Sequence, residues 1–80
     1  MKACIVTVSR SVFADRGRWA SCLPDRVEIA ETRVCFDRDG YDLQLRGDGL
    51  PDWCKTQEGC FYPRAGLRWM PDGKLDVCPV

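Results

Sequence analysis

Two stretches of the chain, "VCFDRDGYDLQL" and "GLRWMPDGKLDVC", constrain its fold more than any others, because each sets an Asp-Gly pair between residues that alternate apolar and polar. In the first, a two-residue Asp39-Gly40 loop pairs Phe36 with Leu43 and Val34 with Leu45, which puts four apolar side chains on one face. A three-residue loop would set Phe36 against Asp42 instead. The alternation therefore selects a tight type I′ hairpin in which Gly40 supplies a positive φ. In the second, Pro71 suits the first corner of a type I turn and Gly73 the left-handed position after it. That loop pairs Trp69 with Leu75 and Leu67 with Val77 on one face, and Arg68 with Asp76 on the other.

The N-terminal third is less explicit. "ACIVTV" reads as a strand by composition. "SVFADRGRWASCL" supports two structures. As a hairpin it turns at Asp15-Arg16-Gly17 and pairs Phe13 with Trp19, and its β-branched and aromatic content favours this form. As a helix over about residues 10–22 it has Ser9 or Ser11 as N-cap, with Gly17 in its interior costing about 1 kcal/mol relative to alanine. "DRVEIAE" alternates, and its apolar phase slips at Glu31-Thr32 before Val34, which indicates a turn or bulge. The expected architecture is a single domain over residues 1–80, mainly β. It is a small antiparallel sheet of five to six strands, a meander or partly open barrel; the α+β alternative carries the helix at 10–22.

Residues 47–66 then form a loop of about 20 residues, a length that in a compact domain is uncommon unless the segment is functional or tied down. It holds Cys54, Cys60, Trp53, Phe61 and Tyr62, with Arg64 at its end and Arg68 just beyond. Cys54 and Cys60, bridged or packed, are expected to brace it. Trp, Tyr and Arg are the residue types enriched at binding hot spots. Trp53, Phe61, Tyr62, Arg64 and Arg68 are accordingly the candidate partner-binding residues, with Gly40 and Gly73 structural at the turns. The competing view is that the aromatics form a small satellite core; Trp69, with strand alternation behind it, fits that view best.

Chemistry is sparse. The chain has no histidine, so the usual general base at neutral pH is missing and neither a Ser-His nor a Cys-His pair can be built. The aspartates at 37, 39, 42, 48 and 52 read as turn and surface groups. "FDRDGYD" fails as a calcium loop: with Gly40 at the sixth position, Cys35 falls at the first and Arg46 at the twelfth. Arg46-Gly47-Asp48 matches the tripeptide that integrins read, but three residues carry little weight. No enzymatic activity, metal or cofactor is expected.

Six cysteines in 80 residues admit 15 disulfide connectivities. The start "MKACIVTV" has an apolar run shorter than the ~7–15 residues of a secretory signal, so the expected location is the cytoplasm, with at least two thiols free. The spacing of Cys54 and Cys60 is neither that of paired zinc ligands nor that of a redox Cys-x-x-Cys motif.

Charge is balanced at 12 basic and 12 acidic residues, with seven and six in residues 1–40 and five and six in residues 41–80. No basic stripe exists for phosphate neutralisation, which argues against a nucleic-acid partner. The expected role is a small non-enzymatic binding protein that docks on a protein or protein complex of the host cell and modulates or inhibits it. Small phage and mobile-element inhibitors of host machinery, anti-CRISPR proteins among them, are of this size and type; the analogy is one of size and type alone. The alternatives are a disulfide-stapled extracytoplasmic protein and a small β-barrel nucleic-acid-binding module.

Overall fold

The computed structural model describes residues 2–35, 39–55 and 61–80, with nothing placed for the side chain of Cys35. The elements are β1 (Ala3–Ser9), α1 (Arg10–Ala14), α2 (Arg16–Trp19), a 3₁₀ turn (Ala20–Cys22), β2 (Glu28–Cys35), β3 (Gly40–Arg46), a second 3₁₀ turn (Asp52–Cys54), β4 (Arg64–Trp69) and β5 (Leu75–Pro79). The five strands make one open sheet in the order β2-β3-β1-β4-β5. The molecule is mainly β, as expected, and its sheet is open, but it is mixed rather than wholly antiparallel and its strand order is not that of a meander. β1 sits at its centre, antiparallel to β3 and parallel to β4.

That order explains the length of the segment between β3 and β4. β3 ends beside the start of β1, where Arg46 faces Ala3, and β4 begins on the other side of β1, where Arg64 faces Ile5. The chain must therefore cross the amino end of β1 between these strands. It is pinned as it crosses by an isolated bridge between Lys2 and Lys55 and an ion pair of 3.1 Å between Lys2 Nζ and Asp52. Leu50 and Cys54 turn inward from it and are fully buried. The segment is first of all a crossover, and its anchors are Leu50 and Cys54 rather than its aromatics.

Register sorts the side chains into two faces. Cys4, Val6 and Val8 of β1 lie opposite Leu45, Leu43 and Tyr41 of β3, and Val6 also pairs with Ala65 of β4. This is the core face, closed by Trp19 and Leu23 from the helical segment. Each large aliphatic chain buried there contributes about 1.5–3 kcal/mol of transfer free energy. Ile5, Thr7, Asp42, Gln44, Arg64 and Arg68 point the other way. The molecule measures 33 × 32 × 20 Å. Layers pack about 10 Å apart, so the short dimension fits a sheet with one added layer.

Three expectations are corrected. Residues 10–22 are helical, not a hairpin. The Ser9 side chain caps α1 by accepting from Val12 N at 3.3 Å. Phe13 stacks on Tyr41 with ring centroids 4.0 Å apart, and Trp19 Nε1 donates to Val12 O at 2.8 Å. These contacts override strand propensity, because a helix carries Phe13, Trp19 and Leu23 onto one side and a hairpin here would leave β1 and β3 uncovered. The helix breaks at Asp15, where α1 ends and α2 begins.

The second correction is the β2–β3 register. Val34 pairs with Tyr41 and Thr32 with Leu43, so neither Val34 with Leu45 nor Phe36 with Leu43 is formed; Phe36 itself lies outside the described residues. The shift is an even number of residues, so the face of every β3 side chain is unchanged. The third concerns Gly40. The positive φ falls on Asp39 (φ 48°), not on Gly40. Glycine is needed at 40 because a Cβ there would lie 2.2 Å from the Val8 carbonyl oxygen of the neighbouring strand. The slip in β2 is present as a shift of register between Ile29 and Glu31. The β4–β5 hairpin has the expected pairs, Trp69 with Leu75, Leu67 with Val77 and Arg68 with Asp76, and Gly73 has φ +84°.

Candidate partner-binding surface

The polar face of the sheet is built by three neighbouring strands. Thr7 of β1 lies opposite Asp42 of β3, and its Oγ1 donates to Asp42 Oδ1 at 2.6 Å. Arg64 begins β4 on the other side of β1, and its Nη1 donates to the same Thr7 Oγ1 at 3.1 Å, 3.7 Å from Asp42 Oδ1. The guanidinium is thereby held at two points while about half of the side chain stays in solvent. Tyr62, half-buried, joins Arg64, Asp42, Ile5, Glu31 and Arg33 around a hollow of about 200 Å³. Phe61, immediately before it, is 100 % exposed.

The rest of this face is a lattice of opposite charges. Arg33 Nη2 donates to Glu31 Oε1 at 3.2 Å, and Arg68 sits 3.5 Å from Asp76 across the β4–β5 pair. Gln44 is buried among them. With its amide oriented to satisfy both ends, it donates to Glu31 Oε2 at 3.0 Å and accepts from Arg46 Nη2 at 2.8 Å. Each arginine therefore has an acidic or amide neighbour, so the face carries strong local fields and little net field.

The five candidate binding residues divide. Tyr62, Arg64 and Arg68 share the polar face, and Phe61 precedes Tyr62 in the chain and is fully exposed. Trp53 stands on the 3₁₀ turn at the amino end of β1, 38 % exposed; among the described residues no ring contact joins it to the others. The exposure of Phe61 rules out the satellite-core view for that residue. Of the two cysteines expected to brace the segment, Cys54 is buried in the same core cluster as Cys4, and Cys60 lies outside the described residues. Burial, then the charge of Cys54 and its hydrogen bond, push the Cys4 thiol up to about 12. Burial also raises Cys54, partly offset by the Cys4 hydrogen bond and the Lys2 ammonium. Asp52, hydrogen-bonded to Lys2 and also near Lys55, is held below the usual carboxylate range. A thiol at about 12 is protonated at neutral pH and is no nucleophile there.

The core face supplies one feature that sequence reasoning missed. α1 packs on β1 and β3 and leaves the β4 side of that face open. The result is a cleft of about 560 Å³ lined by Val6, Val8, Trp19, Leu67 and Leu75, with Asp15 and Arg18 among its polar residues. Trp69 also lines the cleft and is 58 % exposed. Alternation along β4 shows which face Trp69 takes, but not that the helical layer stops short of it.

Among the described residues no group of three or more His, Cys, Asp or Glu side chains is placed to hold a metal ion, and no helix is long and apolar enough to cross a membrane. Searches of protein-family models, of curated proteins and of solved structures find no match to this chain.

Proposed function

We propose that this chain is a non-enzymatic binding protein that docks on a larger protein of the host cell through the polar face of its sheet and modulates or inhibits that partner by covering part of its surface. The observation that carries the reading is Arg64, bound by Thr7 and Asp42 and sharing a hollow with the half-buried Tyr62, with the fully exposed Phe61 next to Tyr62 in the chain. A preorganised arginine beside a tyrosine is the composition of a hot spot, and holding its side chain in advance lowers the entropy lost on binding. The charge lattice favours protein over nucleic acid. A phosphate backbone needs unopposed cations, whereas Arg33, Arg64 and Arg68 each face a carboxylate. Size agrees as well: a molecule whose two long dimensions are 33 and 32 Å is large enough to offer, on one side, the ~800 Å² that one partner contributes to a standard interface.

The test is affinity capture from host lysate with the wild-type protein, F61A and R64A, followed by binding curves on the purified partner. The expected result is one protein species held by the wild type and lost from both variants, with affinity varying little with salt. Retention of DNA or RNA with a steep salt dependence, or equal capture by all three proteins, overturns the proposal.

A further inference from the structure

Four of the six cysteines have described thiols, and all four are free. Two of them donate to backbone carbonyls: Cys22 Sγ to Arg18 O at 3.9 Å and Cys78 Sγ to Gly66 O at 3.6 Å. The other two lie in one cluster. Cys4 is in the central strand β1 and Cys54 on the 3₁₀ turn of the crossover, 50 positions apart in sequence, and the antiparallel bridge of Lys2 to Lys55 lays the two segments side by side, two residues before Cys4 and one after Cys54. Both are wholly shielded from solvent inside the core cluster. The bridge of Lys2 to Lys55 and the Lys2–Asp52 ion pair hold the two backbone segments together on either side.

We propose that Cys4 and Cys54 form a latent disulfide site, a buried dithiol that a low-molecular-weight disulfide converts to a cross-link between the crossover and the central strand. The reaction balances as two protein thiols plus one R–S–S–R giving one protein disulfide plus two R–SH. The protein loses two electrons and two protons, and the small disulfide gains them. Cys54 reacts first, because it lies on a single 3₁₀ turn at the chain's outer crossing, whereas Cys4 is held between β3 and β4. When the Pro51–Lys55 segment opens, the Cys54 thiolate attacks one sulfur of the small disulfide and expels R–S⁻, which takes up a proton. As the segment closes, Cys4 gives up its proton, and its sulfur attacks Cys54 Sγ in the mixed disulfide, expelling the second R–S⁻. Burial disfavours the Cys54 thiolate while the segment is closed, and Lys2, near Cys54, offsets part of that effect. Burial makes the site slow while the segment is closed, so its oxidation reports on opening of the crossover. The bond constrains the unfolded chain across a long loop, and so stabilises the native state.

Each of the six cysteines falls in its own tryptic peptide, so connectivity can be read directly. The wild-type protein is incubated, natively folded, with oxidised glutathione, blocked with an alkylating reagent and digested without reduction. The expected product is the peptide Ala3–Arg10 joined to Gly47–Lys55, as the dominant linkage. Its thermal midpoint should lie roughly 5 °C or more above that of the reduced protein, and C54A should show no such shift. Absence of that linked peptide overturns the proposal. So does its appearance at no more than about one fifth of pairings, the share expected at random when about three of 15 connectivities contain a given pair. Formation in denaturant alone is a third contrary result. The mapping is read on the wild-type chain, so the result stands even if C54A folds poorly.

Discussion

The two hairpins of this sheet depend on glycine for opposite reasons. Gly73 closes the β4–β5 hairpin with φ +84°, and a Cβ there would meet nothing within 4 Å. Gly40 opens β3 without a positive φ, but a Cβ there would lie 2.2 Å from the Val8 carbonyl oxygen. One glycine is chosen by torsion and the other by space. Both hairpins join an edge strand to a strand that lies beside β1, so the difference comes from how far β1 runs along each. The β1–β3 ladder continues to Ser9 opposite Gly40, so β1 flanks the β2–β3 turn itself, an inner turn. The described β1–β4 pairs are Ile5 with Arg64 and Val6 with Ala65, at the end of β4 away from its turn, which is an outer one. The outer turn has only its own torsions and cross-strand pairs to satisfy, whereas the inner turn must also suit β1 and is set partly by residues it does not contain.

The largest effect expected from this contrast is at Gly40. Gly40→Val forces a side chain into the β1–β3 ladder, where the obstacle is backbone and cannot rotate away. It should reduce unfolding free energy by about 3 kcal/mol or more, or prevent folding. Denaturant titration of purified protein measures it. A loss below about 1 kcal/mol would mean that the two strands can part without penalty and would remove the distinction between inner and outer hairpins.

The central strand that flanks the inner turn should also show an alkaline weakness. The Cys4 thiol is raised from its ordinary 9.0 to about 12 in the folded protein. Below pH 9 both states keep the proton and stability is unaffected. Above it the unfolded chain releases the proton while the folded one retains it, so the unfolded state binds fewer protons and stability falls with rising pH. Between about pH 9 and 12 the slope from this group approaches 1.4 kcal/mol per pH unit. Unfolding curves across that range should be steeper for the wild type than for C4A, and equal slopes would contradict the burial assigned to Cys4.

Gly73→Val should cost less, about 1–2 kcal/mol, because the penalty is torsional and the site is open. Gly73→Asn, which tolerates the left-handed region better, should recover part of that loss. If both variants match the wild type in thermal midpoint, the turn has another conformation in solution.

The same contrast explains what could be read from residues alone. The β4–β5 hairpin is legible to the pair, because its turn chemistry and alternation are local and the contact of β4 with β1 lies at the far end from its turn. The β2–β3 register was not, because it must fit the β1–β3 ladder, in which Gly40 faces Ser9. The helical segment was legible as an alternative through the Ser9 cap, but the stacking of Phe13 on Tyr41 that selects it joins residues far apart in sequence. In the candidate site, residue type singled out Tyr62 and Arg64. Thr7 and Asp42, which hold Arg64, were invisible, since only the parallel contact of β4 with β1 brings them there. The purpose of the long crossover was hidden for the same reason: nothing local states that β1 must be bypassed.

The smallest change in stability is expected on the polar face, where it separates a contact surface from a structural one. Arg68 and Asp76 form an exposed pair across the outer hairpin, and such pairs contribute about 0.2–1 kcal/mol. Arg64 has a similar ion pair but is also tied to Thr7 on the central strand. Arg68→Ala and Arg64→Ala should therefore each lower stability by less than about 1 kcal/mol, with Arg64 the larger of the two. If the face is where a partner docks, the preorganised residue should matter far more to binding than to folding. Arg64→Ala would then weaken affinity by about 2 kcal/mol, close to thirtyfold, and Arg68→Ala by less. Thr7→Val supplies the control, since it removes the hydroxyl that fixes Arg64 and leaves the arginine in place. A drop in affinity in Thr7→Val smaller than that of Arg64→Ala, with the stability of both variants near wild type, is the pattern that preorganisation produces. Equal affinities for the wild type and Arg64→Ala would leave the charge lattice as a solvated sheet face and move the search for the interface to the cleft beneath Trp69.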